Sequence, residues 1–340
     1  MKRMKQTTLL ITILLSLASL SHAQQLGIFS QMGNNSISYN PAFTGLETCR
    51  LLSFGHRTQW AEMSDAPDQQ YINYSTRLFR NYIDSVVPYS MPISNNKLYN
   101  QLAEPEHIRK RLRSGVGAHL MRDEYGPFSK VSALINYAYH HRIEDQLNFS
   151  IGASLGTSYS DINRNKLRVL DDGDDVYDRY MEQNVSSYYL DGTLGALLYN
   201  KDLYIGYGAN QIFMNRPFQQ FIDISEYKAR MHHMLSAGYV IRPFESLELV
   251  PMLNLMKTRA APMSLNLGVK ARLHKILWTA INYRLNEAVN ARVGVMAFNR
   301  VLVNYSYEMA TTKVRRYSGG THEVGISLLF NASKAPKHLW

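Results

Sequence analysis

Three groups of residues in this sequence have the types that do chemistry, and their spacing decides whether they can. Ser318, His322 and Glu323 offer a nucleophile, a base and an orienting carboxylate within six positions. His322 and Glu323 lie at the start of Thr321-His322-Glu323-Val324-Gly325-Ile326-Ser327-Leu328-Leu329-Phe330, where apolar residues recur at every second position. Such a stretch is a strand, and neighbours in a strand point to opposite faces. His322 therefore takes the apolar face and Glu323 the other, so no line of three forms on one side. The pairs His140-His141 and His232-His233 fail as chelates for the same reason. His140, His232 and His274 share a face, but a metal would need their heights to match. The run Val169-Leu170-Asp171-Asp172-Gly173-Asp174-Asp175-Val176-Tyr177-Asp178 has the carboxylates of a calcium loop. It lacks the final Glu of the twelve-residue pattern and reads better as a charged, solvated loop. No catalytic residue, metal site or cofactor is expected, and the charges must be explained by the elements that carry them.

Those elements are strands. Met263, Leu265, Leu267, Val269, Ala271 and Leu273 alternate with Ser264, Asn266, Gly268, Lys270, Arg272 and His274. Met231, His233, Leu235, Ala237, Tyr239 and Ile241 oppose Arg230, His232, Ser236, Gly238 and Arg242, and Val131, Ala133, Ile135, Tyr137 and Tyr139 oppose Ser132, Asn136, His140 and Arg142. These segments exceed the five or six residues usual in soluble sheets and match tilted membrane strands of about 9–11. Strands are expected near 50–60, 69–79, 113–122, 128–143, 147–162, 188–200, 202–213, 229–242, 247–259, 263–274, 276–288, 290–301, 302–312 and 321–330. Fourteen is the even number that closure with both ends in the periplasm requires. Short connections at 144–146, 200–201, 243–246, 275 and 299–300 fall on one side, and the longer links 163–187, 214–228 and 313–320 on the other. The fold expected is all-β, an antiparallel transmembrane barrel of about 14 strands in the outer membrane.

The rest of the chain agrees. Lys2, Arg3 and Lys5 precede an uncharged run from Thr7 to Ser21, and Ser21-His22-Ala23 suits a cleavage site, so 1–23 reads as a secretory signal. Its removal takes the formal net charge from +10 to about +7. A single cysteine, Cys49, excludes an internal disulfide, and no stretch approaches the eighteen apolar residues of a membrane helix. Residues 24–49 form a periplasmic or lumen-plugging segment, 50–330 the barrel, and 331–340 a tail. A 33-residue insertion, 80–112, breaks the pattern of short periplasmic turns. It could contain a short helix from Glu106 to Leu112. It offers the aromatic anchors Tyr82, Tyr89 and Tyr99 and the basic cluster Arg109, Lys110, Arg111 and Arg113, which together suit a periplasmic partner as well as a solvated insertion.

The inward face mixes charges. Arg57, Arg230, Arg242, Lys270, Arg272, Arg284 and Arg292 stand beside Glu248, Glu308 and Glu323, with Gly115, Gly117, Gly152, Gly156, Gly206 and Gly208 leaving room for close-packed backbone. That mixture suits a filled lumen better than an open pore. Trp60, Tyr71, Tyr137, Tyr139, Tyr159, Tyr239, Tyr283, Tyr305, Tyr307 and Phe330 are assigned to lipid-facing registers, where aromatic girdles belong. Asn40-Pro41-Ala42-Phe43-Thr44-Gly45 reads as a fixed turn where the chain enters the barrel, with Tyr39 and Phe43 as anchors if it meets a partner.

A family resemblance rests on ordered motifs. They are Phe29-Ser30-Gln31-Met32, then Tyr39-Asn40-Pro41-Ala42-Phe43-Thr44-Gly45, then Arg57-Thr58-Gln59-Trp60 with Ala66-Pro67, and finally Tyr317-Ser318-Gly319-Gly320-Thr321-His322-Glu323. In this order and spacing the chain resembles the PorP/SprF family of type IX secretion membrane proteins of the Bacteroidota, from about Gln25 to Phe330. The resemblance implies an outer-membrane barrel, not an enzyme, that works with the type IX export and gliding machinery. It implies a periplasmic peptidoglycan-binding component and ring and motor proteins as partners, and secretion or surface attachment of cargo such as adhesins. The chain departs from the pattern in its tail beyond Phe330 and in Ser64-Asp65-Ala66-Pro67, where Gly-Ala-Pro is commoner. The leading expectation is a docking component of that machinery. A channel for small solutes is the alternative, and nucleic acid is not an expected partner.

Overall fold

The computed structural model describes residues 35–47, 49–78, 113–143, 147–167, 186–213, 230–259, 261–274, 276–298 and 300–330. Fifteen stretches of strand form one antiparallel sheet. They are β1 Arg50–Thr58, β2 Asp68–Arg77, β3 Arg113–Tyr125, β4 Phe128–Arg142, β5 Asn148–Ile162, β6 Ser187–Tyr199, β7 Leu203–Asn210, β8 His232–Tyr239, β9 Ile241–Phe244, β10 Leu247–Thr258, β11 Ser264–Leu273, β12 Leu277–Arg284, β13 Ala288–Ala297, β14 Val301–Ala310 and β15 Thr321–Phe330. β8 and β9 both pair with β10 and are two halves of one stave interrupted at Val240, so the sheet has fourteen staves. It closes on itself, because β15 pairs with β1 from Arg50↔Phe330 to Thr58↔His322 and β10 pairs with β11. The barrel is the fold the alternation demanded: a closed ring leaves no unpaired edge in lipid.

Local chemistry sets the turns. Asn200 accepts from the backbone N–H groups of Asp202 and Leu203 through its side-chain oxygen, at 2.7 and 2.6 Å, and so reverses the chain between β6 and β7. Gly126, at φ +57°, takes the left-handed conformation in the β3–β4 hairpin. Asn286, at φ +58°, does the same in a turn at 285–287, where a continuous strand 276–288 was expected. The polar Asn-Glu pair there breaks the apolar alternation, which is the signal that the longer strand overrode. Links on the far side from the termini are thus of mixed length.

The walls differ in height. β3, β4, β5 and β6 have 13, 15, 15 and 13 residues. β12, β13, β14, β15, β1 and β2 have 8, 10, 10, 10, 9 and 10. The seam between first and last strands lies in the low wall.

The assigned orientations of four residues change. Tyr71 points inward and is 2% exposed, because its register puts Gln69, Asn73 and Ser75 on the same buried face and leaves Ile72 to the lipid. Its ring occupies the space that a Cβ on the opposite Gly55 would fill. Trp60 lies beyond β1 in a corner at φ +54°, and so has no strand register. Arg230 and His274 stand outside the strands and are exposed, so neither lines the lumen. With His274 in a turn, the three histidines do not converge. Among the described residues no group of three His, Cys, Asp or Glu could hold a metal.

Candidate functional site in the barrel lumen

The lumen holds a piece of the chain's own N-terminal region. A one-turn helix, α1 Ser36–Tyr39, is followed by a 3₁₀ turn at Pro41–Phe43, and together they run down the inside of the wall to the start of β1. Asn40 is the pivot between them. Its Oδ1 accepts from Ala42 N–H at 2.9 Å, capping the turn, and its Nδ2 donates to the Ala196 carbonyl of β6 at 3.0 Å. Pro41 takes the first position of the turn, where its missing N–H costs nothing. Gly45, at φ +73°, ends the segment, and its N–H donates to Ser75 Oγ at 2.8 Å. Ala42 and Thr44 are completely buried.

A segment without regular partners inside a barrel must find other acceptors and donors for its backbone. The wall supplies them with side chains. Asn136 donates to the Ile37 carbonyl at 3.2 Å, Asn210 to Tyr39 at 3.0 Å, and Ser150 to Ala42 at 2.9 Å. His140 Nε2 lies 2.8 Å from the Thr44 carbonyl, and Arg77 donates to Gly45 and Leu46 at 3.2 and 2.9 Å. Higher up, Ser38 Oγ stands 2.8 Å from His119 Nδ1, and Asn73 bonds both His119 and Asn35 at 2.6 Å.

The backbone comes this close because the wall beneath it lacks side chains. A Cβ on Gly152 would stand 2.5 Å from the Pro41-Ala42 peptide, and one on Gly117 would meet Thr44 Cγ2 at 3.0 Å. Gly115, Gly195, Gly206 and Gly208 complete this bed under Tyr39 to Gly45. Gly156, expected in the same role, instead lies against the neighbouring β4 backbone. Ile37, Ala42, Phe43 and Leu46 pack on Leu197, Tyr199 and Tyr204, with Phe43 and Tyr204 edge to face at 6.0 Å.

The opposite wall is filled by charge. Arg57 of β1 is 1% exposed and reaches Glu308 of β14 at 3.3 Å and Glu323 of β15 at 4.0 Å. Its Nη1 also donates to Gln59 and Gln69, at 2.9 and 3.0 Å. Arg284 of β12 grips the same Glu308 at 3.1 Å and Glu287 at 3.5 Å. Nearer the periplasmic rim, Glu248 accepts from Arg272 Nε at 2.6 Å and from Arg242 at 3.3 Å, and Arg242 also pairs with Asp202. Lys270 lies 4.3 Å from the centre of the Trp278 ring. Carboxylates and guanidiniums at this burial stabilise one another only as a satisfied set. These side chains would be wet in an open porin; here Glu323, Ser53, Ser327 and Asn304 are all no more than 2% exposed.

The motif residues divide between two places. Asn40, Pro41, Ala42 and Gly45 form the lumen segment. Arg57, Gln59, Trp60, Pro67, Ser318, Gly319, His322 and Glu323 gather at the outer end of the seam. There Gln59 N–H donates to Pro67 O at 2.8 Å, Trp60 N–H to Thr321 Oγ1 at 3.2 Å, and Gly319 N–H to Ala61 O at 2.8 Å. His322 faces outward with its Nδ1 2.7 Å from Tyr305 Oη, while Glu323 faces Arg57 inside. Tyr82, Tyr89, Tyr99, Arg109, Lys110 and Arg111 lie outside the described residues, as do Asp171 to Asp178. Arg113 opens β3 opposite His140. The wall donors Asn73, His119, Asn136, Ser150 and Asn210 were not singled out from sequence as ligands of the segment, although an asparagine at successive inward registers was the available signal.

No curated protein matches the chain. Among solved structures it is similar to the Acinetobacter baumannii outer membrane protein Omp33, at 10% identity over 84% of this chain and 99% of that chain, with a TM-score of 0.43. It is also similar to the CymD monoaromatic hydrocarbon channel, at 10% identity, 91% and 96% coverage and a TM-score of 0.48. Likenesses this distant carry no argument about function. The sequence profile of the family described as type IX secretion system membrane protein PorP/SprF matches residues 21–328. Joined to a closed fourteen-stave barrel with a lipid-facing exterior, that match makes this chain a member of the PorP/SprF family, an outer-membrane component of type IX secretion.

Proposed function

We propose that this protein is a closed outer-membrane platform: it docks periplasmic parts of the type IX machinery and assists secretion or surface attachment of cargo, and it conducts no solute in its resting state. The observation that carries this reading is the burial of Asn35 to Leu46 on the inner wall, with six of its backbone carbonyls taken by wall side chains. A solute channel would place polar side chains along a wet path. Here the matching groups are spent on the chain itself and on one another. The family and the barrel fold resemble structural and transport membrane proteins, which supports a role other than catalysis.

Docking is proposed for the 80–112 link, on the side of the membrane that both strand termini share. Tyr82, Tyr89 and Tyr99 are its apolar anchors, and Arg109, Lys110, Arg111 and Arg113 steer an acidic partner such as the peptidoglycan-binding component. Two variants test the reading separately. Deleting residues 27–44 should leave a barrel that still shifts with heating on unboiled gels but passes ions in planar bilayers. A silent trace would reject the closed lumen. Replacing 82–110 with a short Gly-Ser turn should abolish cross-linking of periplasmic partners in native membranes, and full recovery with a folded barrel would reject the docking surface.

A further inference from the structure

The outward faces of the two walls meet lipid over different heights. On β1 the outward residues are Arg50, Leu52, Phe54, His56 and Thr58, so only two apolar side chains separate polar ones. β2 repeats this with Ile72 and Tyr74 between Gln70 and Thr76. His56 and Asp68 pair at 2.6 Å on the outside of the sheet, their side chains 55% and 31% exposed. On β4, by contrast, Val131, Ala133, Ile135, Tyr137 and Tyr139 run without interruption.

Strand geometry turns these counts into depth. A rise of about 3.4 Å per residue and a tilt of about 40° place His56 roughly 15 Å above Arg50 along the membrane normal. Tyr159 of β5, whose ring lies 4.6 Å from that of Tyr188, stands roughly 26 Å above Phe149 by the same reckoning. An aromatic girdle on the high wall thus sits at the edge of an ordinary apolar band of about 25 Å, while the low wall turns polar well inside it. Next to this, Tyr305 and Tyr307 of β14 lie tilted against His322 of β15, ring centres 6.2 and 5.2 Å apart, and His322 stands opposite Thr58.

We infer that the outer leaflet is thinned where it meets β1 and β2 beside the seam, so that lipid headgroups and water reach His56, Asp68 and Gln70. The occupant is lipid, drawn down to cover a short belt. A hydrogen-bonded His-Asp pair this exposed suits a wetted interface, and apolar residues lie below it on both strands. A bilayer adapts to hydrophobic mismatch of this kind by thinning locally.

The test compares two positions at equal height. Gln70 lies seven residues above Arg77 at the end of β2, and Ile135 seven above Arg142 at the end of β4, both facing outward. Each is replaced in a Cys49→Ser background, as Gln70→Cys and Ile135→Cys, and folding is confirmed by heat-modifiability. His56→Cys serves as the low-wall probe if Gln70→Cys does not fold. In proteoliposomes of eighteen-carbon lipid, with a membrane-impermeant maleimide on both sides, Gln70→Cys should react at least tenfold faster than Ile135→Cys. In fourteen-carbon lipid the difference should shrink. Equal, slow labelling in the longer lipid would overturn the inference. So would efficient disulfide cross-linking of Gln70→Cys between copies, which would put a second barrel on that face instead of lipid.

Discussion

The wall from β3 to β7, which includes the tall strands β3 to β6, and the wall from β9 round to β2 fill the same lumen by opposite means. The high wall is smooth, lined by glycine and by short polar side chains, and it holds a strip of backbone. The low wall is lined by long charged side chains that fill the space themselves, around Glu308 on one level and Glu248 on another. The comparison teaches that closing a barrel does not need one solution. Backbone packed on glycine is held mostly by hydrogen bonds to neutral side chains and by apolar surface, with Arg77 as a cationic donor at its lower end. A buried ion-pair set cannot be withdrawn, since removing one member strands the others.

The largest effect expected is on the charged side. Glu308→Ala leaves Arg57 and Arg284 buried without the carboxylate that they share, at a cost of about 3–5 kcal/mol. Urea titration in detergent should show that loss, and wild-type stability in the variant would contradict the network. Next is the outer face of the same wall. Leu267, 46% exposed to lipid, becomes a cost of about 2–4 kcal/mol in Leu267→Arg. Lys270→Leu, three positions on and facing inward onto Trp278, should fold better in the same heat-modifiability gel. Equal folding would upset the register of β11.

On the high wall the effects should be seen in conductance more than in stability. Gly152→Val puts a branched side chain where the Pro41-Ala42 peptide lies, so the barrel should fold and pass ions. A closed, fully stable Gly152→Val barrel would break the comparison. Asn40→Ala removes a cap and a bond to β6 at about 1–2 kcal/mol, and should give brief openings in single-channel records. The smallest change is Ser53→Ala at the seam. It loses one 2.9 Å bond to Ser327, about 1 kcal/mol, and should leave both folding and conductance close to wild type.

Much of this was legible in the sequence because period-two alternation survives wherever one face meets lipid. The alternation of β4, β8 and β11 placed nearly every side chain on its face, and Arg57, Glu308 and Glu323 were recognisably inward. It misled where both faces carry large rings: Tyr71 looks like a girdle residue, yet it fills the gap over Gly55 inside the lumen. Asn40-Pro41-Ala42 announced a turn, which is local information. What that turn rests on was not legible, because the glycines beneath it come from four strands that only closure brings together. Likewise His140 was readable as inward, but its hold on the Thr44 carbonyl depends on a register shared by residues 96 positions apart.

The glycine bed also bears on time. A chain inside a finished cylinder either was there before the last strands met or was threaded in afterwards. The wall side chains that take the carbonyls of Ile37 to Leu46 belong to β2, β4, β5 and β7, in a run of neighbouring hairpins that can assemble as an open, curved sheet. The pairing of β1 with β15 joins residues from opposite ends of the barrel sequence, and contacts so distant along the chain form last. The segment can therefore settle on its half-built cradle while the sheet is still open to one side, and the final zipper of Arg50 to Phe330 seals it in.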